Sequence, residues 1–233
     1  MDPKKLFTDD RFNGSCVYCG GSPDTRDHVP SRILLDDPMP DNLPVVAACS
    51  PCNRGFSMDE EYVASLVECV ISGSTDPANL RRPKVAAALS RNSRLRLRIQ
   101  AGGSDGATGT PQWSIEFERV ANVILKLARG HVFYELGMPQ IESPLQMDFA
   151  PFVSMEPQQR EDFEFGPDEQ DDRMWPEIGS RAFYRAVGAS PYEGENEPWV
   201  TVQEGRYRYR VDQGNTLEVK MVLSEYLAAW VVW

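Results

Sequence analysis

Two Cys-x-x-Cys pairs near the start of the chain have the spacing of metal-binding knuckles. Cys16 and Cys19 form the first pair, in CVYC, and Cys49 and Cys52 form the second, in CSPC, after 29 intervening residues. Four thiolates that converge tetrahedrally complete the coordination of one zinc ion and leave no open position for water. The binding free energy of such an ion goes into folding a small unit. We therefore predict a structural zinc site, with a redox Cys-x-x-Cys or chance thiols as the alternatives.

Four residues between and just after the cysteine pairs have the chemistry needed for phosphodiester hydrolysis. Asp27 and His28 are adjacent in RDHVP, Asn42 lies in DNLP, and Asn53 follows the last cysteine in CNRG. Hydrolysis needs a base for the attacking water and a cation beside the departing oxygen. A neutral imidazole at His28 can accept the water proton, while Asp27 and Asn53 supply the hard oxygen ligands that Mg²⁺ or Mn²⁺ prefers. We expect the amide of Asn42 to hold the loop that carries His28.

The motifs CVYC, RDHVP, DNL, CSPC and NRG, over about residues 12 to 62, together resemble the HNH endonuclease family. The resemblance implies a ββα-metal fold of two strands and a helix, clasped at its base by the four-cysteine zinc site. It implies that His28 is the general base and Asn42 the middle asparagine, and that Asn53 and Asp27 bind the catalytic Mg²⁺ or Mn²⁺. The third position of the motif is asparagine in place of histidine, which replaces an imidazole nitrogen by an amide oxygen and favours Mg²⁺ over softer metals.

Two other functions remain open at this point. Zinc knuckles also build modules that bind nucleic acid or protein without catalysis, and the joint presence of Asp27, His28 and Asn53 argues against such a module. The second alternative is a zinc enzyme of the deaminase type, in which His28 and some of the cysteines hold an ion with an open position. That chemistry expects a glutamate two residues after the histidine, where this chain has Pro30.

The net charge of −11 is distributed unevenly along the chain. Residues 1–100 carry 13 basic and 13 acidic side chains, whereas residues 101–233 carry 11 and 22. The segment from Arg81 to Arg98 contains seven basic residues and no acidic one, and such a local field attracts a phosphate backbone. A solvated basic face is the alternative. We expect double-stranded DNA as the partner, and a protein partner can bind through the acidic second half.

Helical patterns occur in three places. A capping box from Ser57 to Glu60 opens an apolar stripe that ends at Gly73. A shorter helix is predicted from Pro83 through Leu89, and a long one from about Val120 to Leu136.

Two segments alternate basic residues with apolar or aromatic ones, as strands do. In LRLRIQ and the arginine just before it, the basic face carries Arg94, Arg96 and Arg98. In RYRYRV, the basic face carries Arg206, Arg208 and Arg210. We predict that both faces contact nucleic acid, and an edge strand protected by charge is the alternative for the second.

Other patterns describe the second half. WSIEFE predicts a strand before the long helix, and residues 156–172, with eight acidic side chains and one arginine, predict a mobile loop. The last 35 residues predict three short strands with a Gly-Asn turn, because β-branched and aromatic residues dominate there.

The expected fold class is α+β. We predict a zinc-stapled ββα-metal (HNH) module over residues 1–75 and a domain of helices and antiparallel strands over residues 76–233. Cys69 lies beside an apolar helical stripe and is expected to be buried. The chain has neither a signal-peptide pattern nor an apolar run long enough to span a bilayer, so we expect a cytoplasmic protein without a membrane partner.

Overall fold

The computed structural model describes residues 14–41, 43–105, 111–166, 175–188 and 199–233. These residues form helices and antiparallel sheets, so the predicted α+β class is confirmed at that level. In chain order the elements are β1 (Thr25–His28), β2 (Val45–Ala48), α1 (Ser50–Ser72), α2 (Pro83–Arg91), α3 (Ser93–Ala101), β3 (Gly103–Asp105), β4 (Pro111–Trp113), α4 (Phe117–Leu136), β5 (Gln146–Pro151), α5 (Pro157–Phe165), α6 (Arg181–Ala186), β6 (Val200–Gln203), β7 (Tyr207–Gln213), β8 (Leu217–Leu223) and β9 (Leu227–Val232).

The region between the two cysteine pairs forms an antiparallel hairpin. Strands β1 and β2 pair with Thr25 opposite Ala48 and His28 opposite Val45. Helix α1 begins two residues after β2 ends, so the chain runs strand, strand, helix. This order places the end of β1 and the first turns of α1 next to each other.

Helix α1 begins earlier than its sequence predicts. The predicted start at Ser57 is wrong, because the helix begins at Ser50, and the hydroxyl of Ser57 donates to the carbonyl of Arg54 within the helix. Asp24 takes the role of a cap from outside the helix: its carboxylate accepts from the backbone N–H of Ser50 at 2.5 Å and from its hydroxyl at 2.9 Å. The predicted end at Gly73 is confirmed, with Gly73 in the left-handed conformation at φ 65°.

Helix α4 is buried along most of its length. It packs against α1 and β2 and also against β7, β8 and β9. A helix surrounded on so many sides is apolar nearly all round, and Val123, Ile124 and Leu127 are fully buried. Three polar side chains are buried with them: Lys126, His131 and Glu135.

The C-terminal half is built on a five-stranded antiparallel sheet with the strand order β5-β9-β8-β7-β6. The predicted Gly-Asn turn is confirmed between β7 and β8, but the last 35 residues hold four strands where three were expected. Tyr207 and Tyr209 of β7 pack against α4, while Val222 and Ala228 belong to a second apolar cluster with Phe163 of α5. The sheet is therefore covered on both faces.

Two other predictions about elements are wrong. LRLRIQ is not a strand but most of helix α3, in which Leu95 and Ile99, four residues apart, are buried and Leu97 is exposed. The N-cap Asn92 accepts from the N–H of Leu95 at 3.1 Å, a local signal that outweighs the alternation. WSIEFE contributes only Trp113 to strand β4, and α4 begins at Phe117.

The acidic segment 156–172 is not entirely a loop. Helix α5 occupies Pro157–Phe165, opened by a capping box between Glu156 and Gln159 with proline in the first turn. Residues 167–172 lie outside the described part of the chain. Glu164 pairs with Arg208, so part of the acidic charge is used within the molecule.

A continuous buried core runs through both halves of the chain. It includes Cys16 and Val46 from the hairpin region, Leu127 from α4 and Met221 from β8. The boundary at residue 75 stays a prediction, and the core itself crosses it. Cys69 is fully buried, as expected. None of the helices in the described residues combines the length and apolar character needed to cross a bilayer.

Candidate metal centre and active-site cleft

The four predicted zinc ligands converge on one point. The sulfur atoms of Cys16, Cys19, Cys49 and Cys52 all lie within 4.8 Å of one another. The Sγ atoms of Cys19 and Cys49 are 3.7 Å apart, which matches the edge of about 3.8 Å that a tetrahedron has when each Zn–S bond is about 2.3 Å. The donor set and its spacing therefore fit a tetrahedral metal ion such as zinc.

Local backbone structure presents each cysteine pair. The first pair lies on a tight turn in which the N–H of Gly20 donates to the carbonyl of Cys16 at 2.8 Å, and Gly20 has a φ of 74°. The second pair flanks the start of α1, with Cys49 as its N-cap and Cys52 in its first turn. The β1–β2 hairpin connects the two cysteine pairs. It places the turn that carries the first pair beside the N-terminus of α1, which carries the second.

The thiols of Cys16 and Cys52 differ in acidity. Burial raises the pKa of Cys16, but backbone N–H groups of Cys49, Tyr18 and Cys19 that point at its sulfur outweigh burial and lower that pKa to about 7. Burial, together with the neighbouring thiols, raises the pKa of Cys52 far above its ordinary value. Thiols crowded in this way release their protons together only when a cation joins them, so metal binding and proton release are coupled here.

A cleft of about 500 Å³ lies beside the metal centre, between the end of β1, the first half of α1 and the end of α2. Asp27, His28 and Asn53 all line it, so three of the four predicted catalytic residues share one cavity. His28 is half-buried at the last position of β1. Asn42, the fourth, lies outside the described residues.

Asn53 is oriented by strand β1. Its side-chain nitrogen Nδ2 donates to the carbonyl of Arg26 at 3.2 Å and to the hydroxyl of Thr25 at 3.3 Å. With both donor contacts made to β1, the amide oxygen Oδ1 is the atom left to act as a ligand. An amide oxygen in this cleft fits a hard divalent cation.

Asp27 is buried and held by two partners. Its Oδ2 accepts from the hydroxyl of Tyr18 at 2.7 Å and lies 2.8 Å from Nζ of Lys126 in α4. Burial, and then the negative charge of Asp27, raise the pKa of Tyr18 well above its usual value of 10, so Tyr18 is a proton donor to Asp27. The other oxygen, Oδ1, has no hydrogen-bond partner among the described residues, which makes Asp27 a fit ligand for a divalent cation together with Asn53.

Three arginines line the cleft. Arg26, Arg32 and Arg91 are exposed and form no ion pair within the part of the chain that the structure describes. In a protein with a net charge of −11, three cations gathered at one cleft create a local field that attracts anions.

The arginines predicted to bind nucleic acid lie elsewhere. Arg94, Arg96 and Arg98 lie on helix α3 and not along one strand face, and Arg98 pairs with Glu116 at 2.5 Å.

The arginines of RYRYRV are engaged with carboxylates. Arg206 pairs with Asp36, Arg208 with Glu164 and Glu225, and Arg210 with Asp212. The edge-strand alternative is wrong, since β7 lies between β8 and β6. Contact with nucleic acid by either set stays a prediction.

Sequence reasoning missed Glu60 and Lys126, which contact each other beside Asp27. Glu60 has a signal in the sequence: it lies seven residues after Asn53, which is two helical turns and hence the same face of α1. The sequence signal for Lys126 is weaker: it is a lysine among the apolar residues of α4. No local pattern links it to Asp27.

Comparison of the chain with models of known protein families, with curated proteins and with solved structures found no match. The function of the chain therefore has to be inferred from the residues and geometry of its own site.

Proposed function

We propose that the chain is a metal-dependent endonuclease of the HNH type, which hydrolyses phosphodiester bonds in DNA. The observation that carries the proposal is the convergence of Asp27, His28 and Asn53 on one cleft, formed by a strand, strand, helix unit with four clustered cysteines at its base. Three residues of the right chemistry, drawn from two elements, share the cavity that a scissile phosphate would enter.

In this proposal His28 is the general base. A half-buried imidazole at the end of β1 takes the proton from water as the oxygen attacks phosphorus. Asp27 and Asn53 would hold a divalent cation, Mg²⁺ or Mn²⁺, and when bound that cation would supply charge stabilisation for the leaving oxygen. Tyr18 and Lys126 fix the carboxylate of Asp27, and strand β1 fixes the amide of Asn53. The reacting groups are therefore oriented before substrate binds.

The arginines at the cleft support a nucleic acid as the substrate. Arg26, Arg32 and Arg91 place three guanidinium groups around the cavity that contains His28. Guanidinium groups bind phosphate oxygens with two parallel hydrogen bonds, and a polyanion offers several phosphates at once. The rest of the acidic molecule repels DNA, so these arginines would direct the backbone into the cleft.

We further propose that the four cysteines bind zinc and that its role is structural. Four sulfur ligands leave no position for water, so the reaction belongs to the neighbouring cleft. The cysteines that would hold the zinc lie on the turn after Cys16 and at the N-terminus of α1, which carries Asn53 three residues after its start. Loss of zinc would therefore displace a residue of the cleft.

A binding module without catalysis is the second candidate, and one observation favours it. One oxygen of the Asp27 carboxylate is already engaged by Tyr18 and Lys126, as expected for a structural carboxylate. Such a module would bind DNA at the arginines and leave it intact.

The experiment that separates the two is cleavage of supercoiled plasmid DNA by the purified zinc-loaded protein. We expect nicked or linear product with Mg²⁺ or Mn²⁺ and none with EDTA. Binding of the plasmid without cleavage in any divalent cation would reject the nuclease and support the binding module.

A further inference from the structure

We propose that Lys126 is a positioning residue of the cleft: its buried ammonium group lies between the carboxylates of Asp27 and Glu60 and holds Asp27 in position to bind a divalent cation. The inference rests on the proposed function, because it assumes that Asp27 is a ligand of that cation. Lys126 belongs to α4 and so brings the second half of the chain into the site.

The geometry around Lys126 is that of a small cation site filled by an ammonium group. Its Nζ lies 2.8 Å from Oδ2 of Asp27 and 2.9 Å from the hydroxyl of Ser31, and it contacts Oε1 of Glu60. Ser31 also donates to Glu60. The lysine side chain is 1% exposed, so solvent does not take over any of these contacts.

Charge explains why a lysine is buried here. Asp27 and Glu60 carry two negative charges beside the cleft, and Lys126 contributes one positive charge between them. Two carboxylates without a cation between them repel each other, and that repulsion would push Asp27 out of its present position. Lys126 offsets the repulsion and leaves one net negative charge to attract the divalent cation.

Hydrogen bonding explains the orientation. The ammonium group of Lys126 and the hydroxyl of Tyr18 both bind Oδ2 of Asp27, so the carboxylate cannot rotate freely. Partners that orient a ligand in this way typically account for a 10-fold to 100-fold difference in metal affinity or activity. Lys126 does not line the cleft itself and acts through Asp27.

The test is a double-mutant cycle in the zinc-loaded full-length protein. Lys126→Met, Glu60→Gln and the double variant are compared with wild type by two measurements: the dissociation constant of Mn²⁺ without DNA, by electron paramagnetic resonance, and kcat and KM for DNA cleavage. We expect Lys126→Met to weaken Mn²⁺ binding and lower kcat by about 100-fold, with KM for DNA unchanged. The double variant no longer has two negative charges side by side, so Asp27 stays on the hydroxyl of Tyr18, and both quantities should recover to within about 10-fold of wild type.

Lys220→Met is the matched control. Lys220 is also buried, but it contacts the carbonyl of Asp162 and the rings of Phe163 and Trp230, away from the cleft. Its removal should leave Mn²⁺ binding and kcat unchanged. If Lys126→Met does not fold, Glu60→Gln is compared with the double variant, in which loss of the lysine must still weaken Mn²⁺ binding about 10-fold.

Two results would overturn the role of Lys126: Mn²⁺ affinity and kcat that stay within about twofold of wild type in Lys126→Met, or equal defects in the single and double variants. Failure of the proposed function looks different. In that case wild type does not cleave DNA, and Asn53→Ala does not change the affinity of wild type for Mn²⁺.

Discussion

Gly130 of α4 lies directly against the side chain of Val29, the residue that follows His28. A Cβ atom added at Gly130 would lie 2.7 Å from Cγ2 and 2.8 Å from Cγ1 of Val29, which is fully buried. Val29 is β-branched and its methyl groups have little freedom to rotate away. The absence of a side chain at Gly130 therefore allows α4 to approach the strand that carries Asp27 and His28.

We predict that Gly130→Ala destabilises the protein although alanine favours helix. Forcing an extra methyl group into a packed core costs about 1–3 kcal/mol, against a gain of about 1 kcal/mol from helix propensity. Urea unfolding should show a net loss. Gly55→Ala is the matched control, because Gly55 is a helical glycine with nothing near its missing Cβ, and it should stabilise by about 0.5–1 kcal/mol. An equal gain in both variants would contradict the close contact.

Zinc content provides the second prediction. Elemental analysis of the purified protein should find close to one zinc per chain, and Cys49→Ser should lose the ion and unfold the region around it, because binding and folding are coupled. Cys69→Ala is the control: burial raises the pKa of Cys69 to about 12, and its sulfur is not part of the four-cysteine cluster. A metal-free wild type that is fully folded would contradict the zinc site.

The cleft arginines provide the third prediction. Replacing Arg26, Arg32 and Arg91 by alanine should weaken DNA binding and make the dependence of log K on log salt shallower by up to about 0.9 per arginine. Reversal of Arg94, Arg96 and Arg98 to glutamate, measured by the same titration, tests the basic segment predicted from sequence. If only this second variant loses affinity, the DNA lies over α3 and not over the cleft.

The sequence predicts the parts of the site that depend on short spacings. The cysteine pairs, the Asp27–His28 dipeptide and Asn53 all lie within one hairpin and one helix, where local geometry brings them together. Helix ends were predicted where a proline or glycine marks them, as at Pro83 and Gly73.

Predictions failed where a local pattern has two solutions or where contacts join distant segments. LRLRIQ alternates like a strand, yet the spacing of Leu95 and Ile99 also suits a helix, and the N-cap at Asn92 together with the burial of these two side chains selects the helix. The contacts of Lys126 with Asp27 and of Gly130 with Val29 each join residues about 100 positions apart. Such contacts depend on how α4 packs against the rest of the chain, and no short sequence motif indicates that packing.

The pH dependence of stability provides the fourth prediction. His131 is fully buried, its Nε2 lies 2.8 Å from the hydroxyl of Tyr207, and burial, aided by the charges of Lys126 and Arg185, lowers the pKa of His131 well below 6.5. Below pH 6.5 the unfolded chain takes up a proton at this histidine and the folded chain does not, so stability falls as pH falls. The loss should approach about 1.4 kcal/mol per pH unit until the folded-state pKa is reached.

His131→Gln removes this titration, so its stability should depend less on pH between 6.5 and 5 than that of wild type. Urea unfolding of both proteins at several pH values measures the difference, and the thiols of the metal centre cancel because both proteins contain them. Parallel curves for the two proteins would show that His131 does not carry the effect.

The role of His28 as a general base is tested by single-turnover cleavage of DNA by His28→Ala. We expect a rate at least ~10²-fold below wild type, with zinc content and DNA affinity retained, while His131→Gln, which changes the other of the two histidines, cleaves normally. Cleavage by His28→Ala at the wild-type rate would show that His28 is not the base.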